Sequence, residues 1–364
     1  MKVDAWLPRA AAARPDHPAI NDITYAELLD RARRAPAEID HGLPAEEVAV
    51  RVHATLLRGG EEQHDLDATA LVVRTSGTTA QPKDVELTYG NWLWSALGSA
   101  VALGHPPSER WLCALPLTHV GGLSILLRSV IAGTTVLLHD RWDTEAVLLG
   151  LDDATIVSLV PTTLKRLLDA GLSEPPALRH VLLGGAPIPP ALLGRAREAK
   201  VPVATTYGLT EACSQVTTNG VPLFCTRVEL AEDGEVLVSG PTVAGGGTLR
   251  TGDVGRWEDG RLAIVGRKAD TIITGGENVA PAEVEQVLEQ HPAVEEAAVH
   301  GRPDPEWGEA VVATVVLRSE ASEDELRAYV AERLDPFKVP KSVSARREPL
   351  PRTASGKLQR GALE

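Results

Sequence analysis

The run Thr75-Ser76-Gly77-Thr78-Thr79-Ala80-Gln81-Pro82-Lys83 gathers hydroxyls, a glycine and a lysine in nine residues. Backbone N–H groups and hydroxyls of such a loop donate to phosphate oxygens, and a lysine adds positive charge. Gly77 and Lys83 have the separation of the GxxxxGK[ST] phosphate loop. Pro82 stands where that loop has its second glycine, and Asp84 where a Ser/Thr would hold magnesium. The loop is therefore not a Walker-type loop, and by itself it also reads as a polar surface turn. Other residues carry chemistry with an equally plain alternative. Glu211 reads as a metal-binding carboxylate or a helix-start residue. Asp253 reads as a ribose acceptor or a turn residue after Gly252. Gly184-Gly185-Ala186 can admit a flat base or simply turn a strand into a helix. Arg128 can meet an anion or end an apolar helix and reach solvent. Lys357, by itself, is a solvated lysine of the tail.

These residues need a scaffold, and the pattern supplies one. Ala68–Arg74 is a short β-run leading into the hydroxyl-rich loop. Strands are expected at 111–115, 134–138, 155–160, 180–183 and 201–205. Helices are expected between them at 122–132, 143–149, 162–170 and 189–199. Such alternation implies crossover units and a mostly parallel sheet. Residues 1–60 read as a weakly patterned helical region. From 224 to 265 short strands and the Asp233-Gly234 and Asp259-Gly260 turns imply a small β-region. A tail of helix 281–290, strands near Ala297 and Val311, and helix 323–334 reads as a separate α+β unit. The expected fold class is α/β, with a large N-terminal region over 1–267 and a small C-terminal domain over 268–364.

Composition narrows the function classes. The 364 residues carry a formal net charge of −14, which argues against a dedicated nucleic-acid binder or a polybasic membrane binder. Cys113, Cys213 and Cys225 lack metal-ligand spacing and suit a reduced compartment. Met1–Ile20 has no apolar signal segment, and no uncharged apolar run approaches the roughly 20 residues of a membrane span. A cytoplasmic protein is expected. The oligomeric state stays open, a homo-oligomer included.

Six motifs in fixed order resemble the adenylate-forming superfamily of acyl-CoA synthetases, luciferases and peptide-synthetase adenylation domains. The loop at 75–83 is similar to its TSGTTGxPK signature. Leu115-Pro116-Leu117-Thr118-His119 follows, then Tyr207-Gly208-Leu209-Thr210-Glu211, then Thr251-Gly252-Asp253. Gly266-Arg267 through Gly275-Gly276-Glu277-Asn278 resembles the hinge and the glycine turn beyond it. Pro351-Arg352-Thr353-Ala354-Ser355-Gly356-Lys357 resembles the C-terminal lysine motif.

The resemblance implies ATP, Mg2+ and CoA as cofactor and co-substrates, and a two-step reaction. A carboxylate attacks the α-phosphate of ATP, pyrophosphate leaves, and CoA then takes the acyl group. Two anions meet in the first step, so cations must offset their repulsion. The implied catalytic residues are Lys357, Thr210, Glu211 and His119. Lys357 bridges the carboxylate and the α-phosphate, a task that suits a mobile point charge. Thr210 bonds the α-phosphate, and Glu211 holds Mg2+. The implied nucleotide and CoA contacts are Thr75, Ser76, Gly77, Thr78, Thr79, Lys83, Gly185, Ala186, Tyr207, Gly208, Asp253, Arg267, Gly275 and Gly276. Rotation of the C-terminal domain about Arg267–Asp270 would bring Gly275 and Gly276 to the pantetheine. Ala269 stands where the family has Asp or Lys.

The stretch Leu115–Leu137 is similar to the o-succinylbenzoate–CoA ligases of menaquinone biosynthesis. In that subfamily an arginine at the position of Arg128 contacts a second carboxylate, and a dicarboxylate does need a second cation. His119, Gly121, Arg128 and Ser214 are the expected substrate residues, with Gln215 beside them. Only 74 residues precede Thr75. The shortening falls between Ala35 and Asp65, and compact ligases of this subfamily exist. Two alternatives remain among ligases: one for another aryl or medium-chain acid, or a stand-alone adenylation enzyme loading a carrier protein. A nucleotide sensor that kept the fold is the non-catalytic alternative.

Overall fold

The computed structural model describes residues 1–75, 83–352 and 358–363. The chain divides into two compact units. One holds Met1–Gly185, Ala196–Glu229 and Leu237–Arg250; the other holds Ala186–Arg195, Leu230–Val236 and Thr251–Glu364.

The first unit is organised by a nine-stranded sheet. Its central strands are short apolar runs: Arg110–Cys113, Thr135–Leu138, Ile156–Leu159 and His180–Leu183. Most of their residues are buried, as expected of strands covered on both faces. Pro18–Ile20, Thr135–Leu138, Arg110–Cys113, Ile156–Leu159, His180–Leu183 and Val203–Leu209 run parallel, in that spatial order. Ser214–Thr218 and Val221–Pro222 extend the sheet antiparallel at one edge, and Ile23–Thr24 closes the other. From Arg110–Cys113 the chain crosses through helix Val120–Ala132 to Thr135–Leu138 on one side. It then returns to lay Ile156–Leu159 on the opposite side and continues outward from there. The reversal is a topological switch, and the crevice outside the carboxyl ends of such strands is where α/β sheets bind ligands.

Two features of this unit depart from the sequence reading. Residues 1–60 do hold helices, Trp6–Ala13, Tyr25–Arg34 and Ala45–Arg58. They also hold strands of two and three residues, too short to leave a periodic signal. Thr69–Thr75 pairs antiparallel with Lys83–Thr88, so the hydroxyl-rich segment connects two strands of a hairpin. Helix Tyr89–Leu103 follows at once. Thr88 and Asn91 cap it reciprocally, each side chain accepting from the other's backbone N–H.

In the second unit, Asp253–Glu258 pairs with Arg261–Arg267 across the Asp259-Gly260 turn. Beyond the single turn Lys268–Asp270 lies a five-stranded sheet built on the long hairpin Val294–Asp304 and Gly308–Leu317. Ser342–Arg346 adds in parallel, and Ile272–Thr274 and Glu277–Val279 complete it. Helices Pro281–Glu289 and Glu323–Ala331 bury Val284, Leu288, Leu326 and Val330 in one core with Val299, Val311 and Val315. The tail is anchored on either side of residues 353–357: Arg352 and Leu358 form an antiparallel bridge, and Gln359 N–H donates to Pro351 O at 2.9 Å.

Candidate active site

The switch point is lined by the segment after Cys113. His119 N–H donates to Pro116 O at 3.2 Å, folding Leu115–Thr118 back on the start of helix Val120–Ala132. Gly122 allows this fold, because a Cβ there would lie 2.5 Å from Pro116 O. His119 is the exposed residue preceding the helix, and Gly121 sits in its first turn. Gly133, in the left-handed conformation, ends the helix. Arg128 lies within it.

Arg128 is buried, with 5% of its surface accessible, which sets aside the reading in which it reaches solvent. Its Nη2 donates to Ser95 Oγ at 3.3 Å, and its guanidinium carbon lies 5.6 Å from the centre of the Trp111 ring. Nε has no hydrogen-bond partner. Among the described residues no carboxylate pairs with it. Burial pushes its pKa down to about 10, so it remains a cation at neutral pH. A buried guanidinium without an anion carries an uncompensated desolvation cost, and a carboxylate ligand would offset it.

The segment after Val203–Leu209 meets the same helix. The strand runs through Tyr207 and Gly208 with an irregular register there, and the turn Thr210–Ala212 follows. A Cβ on Gly208 would lie 1.7 Å from Ser214 O, so this close backbone approach requires glycine. Cys213 and Ser214 both take positive φ, 52° and 86°. Consecutive left-handed non-glycine residues are costly and persist where surrounding bonds hold them. Ser95 Oγ donates to Cys213 O at 2.7 Å, and Ser214 Oγ to Ser124 Oγ at 3.4 Å. Ser124 Oγ in turn donates to Gly121 O at 2.8 Å. The fold thus brings Gly121, Arg128 and Ser214 into one connected group. Gln215 is buried beside them and bonds Thr218.

Thr210 and Glu211 are half-buried at the carboxyl end of their strand. Glu211 makes no ion pair among the described residues, and Ala244 N–H donates to its backbone carbonyl. One carboxylate of this kind fits a Mg2+ whose remaining ligands come from phosphates and water. Gly185 follows the neighbouring strand with φ of 81°. A Cβ on Gly184 would lie 2.6 Å from Thr206 O, so this turn packs against the next strand. Thr75 and Lys83 face each other across the hairpin, Thr75 Oγ1 donating to Lys83 O at 3.1 Å. Asp84 pairs with Arg74 at 2.8 Å. Ser76, Gly77, Thr78, Thr79 and Lys357 lie outside the described residues.

The second unit holds Ala186 and the remaining candidates. Asp253 is buried, and Arg267 pairs with it at 2.8 Å from the directly opposite position of the hairpin. Thr251 Oγ1 accepts from Asp253 N–H at 3.1 Å, and Thr251 O accepts from Arg267 Nη1 at 3.3 Å. Lys268 pairs with Asp233 at 2.6 Å and with buried Glu235 at 3.2 Å, and these carboxylates raise its pKa. Gly275 and Gly276 form the left-handed turn between two short strands. Gly275 N–H donates to Trp307 O at 2.8 Å, and a Cβ on Gly275 would lie 2.9 Å from the Trp307 ring.

Ser95, Trp111 and Ser124 join this site unannounced by the sequence reading. Ser95 lies on helix Tyr89–Leu103, which lacks the charged face that marks a helix by periodicity. The capping pair Thr88 and Asn91, followed by an uncharged run to Leu103, was the available signal.

Comparison with known proteins gives the family and the fold. The AMP-binding enzyme family matches residues 36–246, and the AMP-binding enzyme C-terminal domain matches residues 283–357. The 2-succinylbenzoate–CoA ligase of Bacillus licheniformis is 42% identical over 340 residues, covering 83% of this chain and 71% of the relative. That of Listeria monocytogenes is 39% identical over 333 residues, covering 83% and 71%. The o-succinylbenzoate CoA synthetase of Bacillus subtilis in complex with its acyl-adenylate intermediate superposes with a TM-score of 0.90 at 33% identity, over 100% of this chain and 98% of that one. The same enzyme with ATP and magnesium gives 0.89 at 32%, over 100% of both chains. The chain belongs to the AMP-binding enzyme family.

Proposed function

We propose that this protein is an ATP-dependent, AMP-forming 2-succinylbenzoate–CoA ligase. The observation that carries the choice of acid is Arg128, a buried cation with no carboxylate among the described residues to balance it. One carboxylate of the acid attacks the α-phosphate, forming the acyl–O–P bond and releasing pyrophosphate. The CoA thiol, losing its proton, then displaces AMP and forms the thioester. Arg128 takes the carboxylate that does not react. His119, Gly121 and Ser214 line the acid. Thr210 bonds the α-phosphate, and Glu211 would hold Mg2+, which when bound neutralises phosphate charge.

Thr75, Lys83 and the loop between them receive the polyphosphate. Gly185, Ala186, Tyr207 and Gly208 accommodate the nucleotide, and Asp253 accepts from the ribose with Arg267 orienting it. Lys357 bridges the reacting anions. Residues 1–267 and 268–364 act as the functional domains, with Gly275 and Gly276 turned to CoA in the second step. Three free cysteines, two of them buried, suit a cytoplasmic location.

The test is turnover by the purified protein with ATP, Mg2+, CoA and a panel of acids. The expected result is stoichiometric AMP, pyrophosphate and 2-succinylbenzoyl-CoA. Equal turnover of benzoate would overturn the dicarboxylate assignment. Acyl transfer to a carrier protein with no response to CoA would overturn the thiol assignment.

A further inference from the structure

The group around Arg128 has a second member with no assigned role. Ser95 is 1% accessible and lies on helix Tyr89–Leu103, outside every motif of the sequence. Its single hydroxyl does two things. It donates to Cys213 O at 2.7 Å and accepts from Arg128 Nη2 at 3.3 Å. The first bond commits the hydroxyl proton, so the oxygen lone pairs face the guanidinium. The carbonyl that takes the proton belongs to a left-handed residue in the turn that follows Glu211 and leads to Ser214.

Trp111 holds the same guanidinium from a strand, its ring 5.6 Å from the cation. The ring is itself fixed, since Nε1 donates to Ser158 Oγ at 3.0 Å. Arg128 is therefore set by groups that orient it without neutralising it. A carboxylate in place of Ser95 would satisfy the charge and compete with any anionic ligand; a hydroxyl does not. Unpartnered buried polar atoms occur nearby in sequence as well, at Arg128 Nε, at Ser129 Oγ beside it, and at Ser99 Oγ one turn beyond Ser95.

We propose that Ser95 is a positioning residue for acid selection, fixing the Arg128 guanidinium toward the unreacted carboxylate and tying it to the Glu211–Ser214 turn. This rests on the assignment of Arg128 to that carboxylate. Ser95→Ala removes both bonds of the hydroxyl, the charge-assisted one from Arg128 and the one to Cys213 O, and leaves a good helix former in place.

The experiment measures pyrophosphate release by wild type, Ser95→Ala, Ser95→Cys and Arg128→Met. Each is tested with 2-succinylbenzoate and with its analogue lacking the unreacted carboxylate. The expected result is about a tenfold rise in KM for the dicarboxylate in Ser95→Ala, with KM for ATP and for the monocarboxylate held. Ser95→Cys, a poorer acceptor of the same shape, falls between and carries the test if the alanine variant does not fold. Ser95→Ala combined with Arg128→Met loses no more than Arg128→Met alone. Equal rises in all KM values would reduce Ser95 to a packing role and overturn the proposal. An unchanged dicarboxylate KM in Ser95→Ala, beside a raised one in Arg128→Met, would overturn it and leave the Arg128 assignment standing. An unchanged KM in Arg128→Met overturns both. No turnover of 2-succinylbenzoate by wild type would remove the proposed function itself.

Discussion

Arg128 and Arg360 are both held tightly, and they are held in opposite ways. Arg360 pairs with Asp270 at 2.9 Å and with Glu285 at 2.8 Å, and donates to Val299 O at 3.1 Å. Buried Glu285 also accepts from Val299 N–H, so cation and anions are saturated together. Arg128 has a hydroxyl and an aromatic face in place of the carboxylates. A guanidinium that serves the fold is balanced by the fold. One left unbalanced holds binding energy in reserve for an anion from outside.

This contrast can be broken at several points. The largest expected effect belongs to a third cation, Lys357, assigned to the reacting anions. Lys357→Ala should lower the adenylation rate about a thousandfold with ATP binding kept, as measured by pyrophosphate release and nucleotide titration. Lost ATP binding would contradict the assigned role. Arg360→Met should cost about 3 kcal/mol of stability in denaturant melts, because Glu285 is left buried without its cation. Its preference between the dicarboxylate and the monocarboxylate should stay as in wild type. Arg128→Met should do the reverse. It raises KM for the dicarboxylate about a hundredfold, raises KM for the monocarboxylate far less, and leaves the melting temperature unchanged or higher. A destabilised Arg128→Met with unaltered acid preference would erase the contrast.

The smallest effect concerns Glu289, in the same helix as Glu285. Burial raises its pKa to about 7 from the ordinary 4.5, with Glu285 and Glu296 adding to the shift and the Ala297 N–H and Arg352 opposing it. Between these values the folded protein keeps a proton that the unfolded chain has lost. Stability therefore falls as pH rises through that window and levels off above it. Glu289→Gln should gain about 2 kcal/mol relative to wild type at pH 8 and nothing at pH 4.5, read from paired melts. An equal difference at both pH values would show that the ionised form is not penalised.

Much of this molecule is legible in the sequence, for physical reasons. Short apolar runs bounded by Gly and Pro mark Arg110–Cys113, Ile156–Leu159 and His180–Leu183, because strands covered on both faces tolerate little else. Thr210, Glu211, Asp253 and Arg267 sit in linear motifs, and it is the resemblance of those motifs to the adenylate-forming superfamily that singles them out. Helix Tyr89–Leu103 is apolar on most sides and lacks the charged face that periodicity detects. Strand Lys83–Thr88 does alternate, with Val85 and Leu87 buried, but its charges draw the eye to a loop. Ser95 has no linear signature at all. Its partners are 33 and 118 residues away, and only the folded chain brings them together.

Gly208 has a consequence for the gene as well as for the chain. The atom that would meet its Cβ is the main-chain oxygen of Ser214, at 1.7 Å, and no rotamer change can move it aside. Every missense change to a glycine codon introduces a Cβ. Codon 208 therefore has only synonymous neighbours that keep the turn intact. Ser214 is held to the same turn from the other side, by its φ of 86° and by the bond of its Oγ to Ser124 Oγ at 3.4 Å.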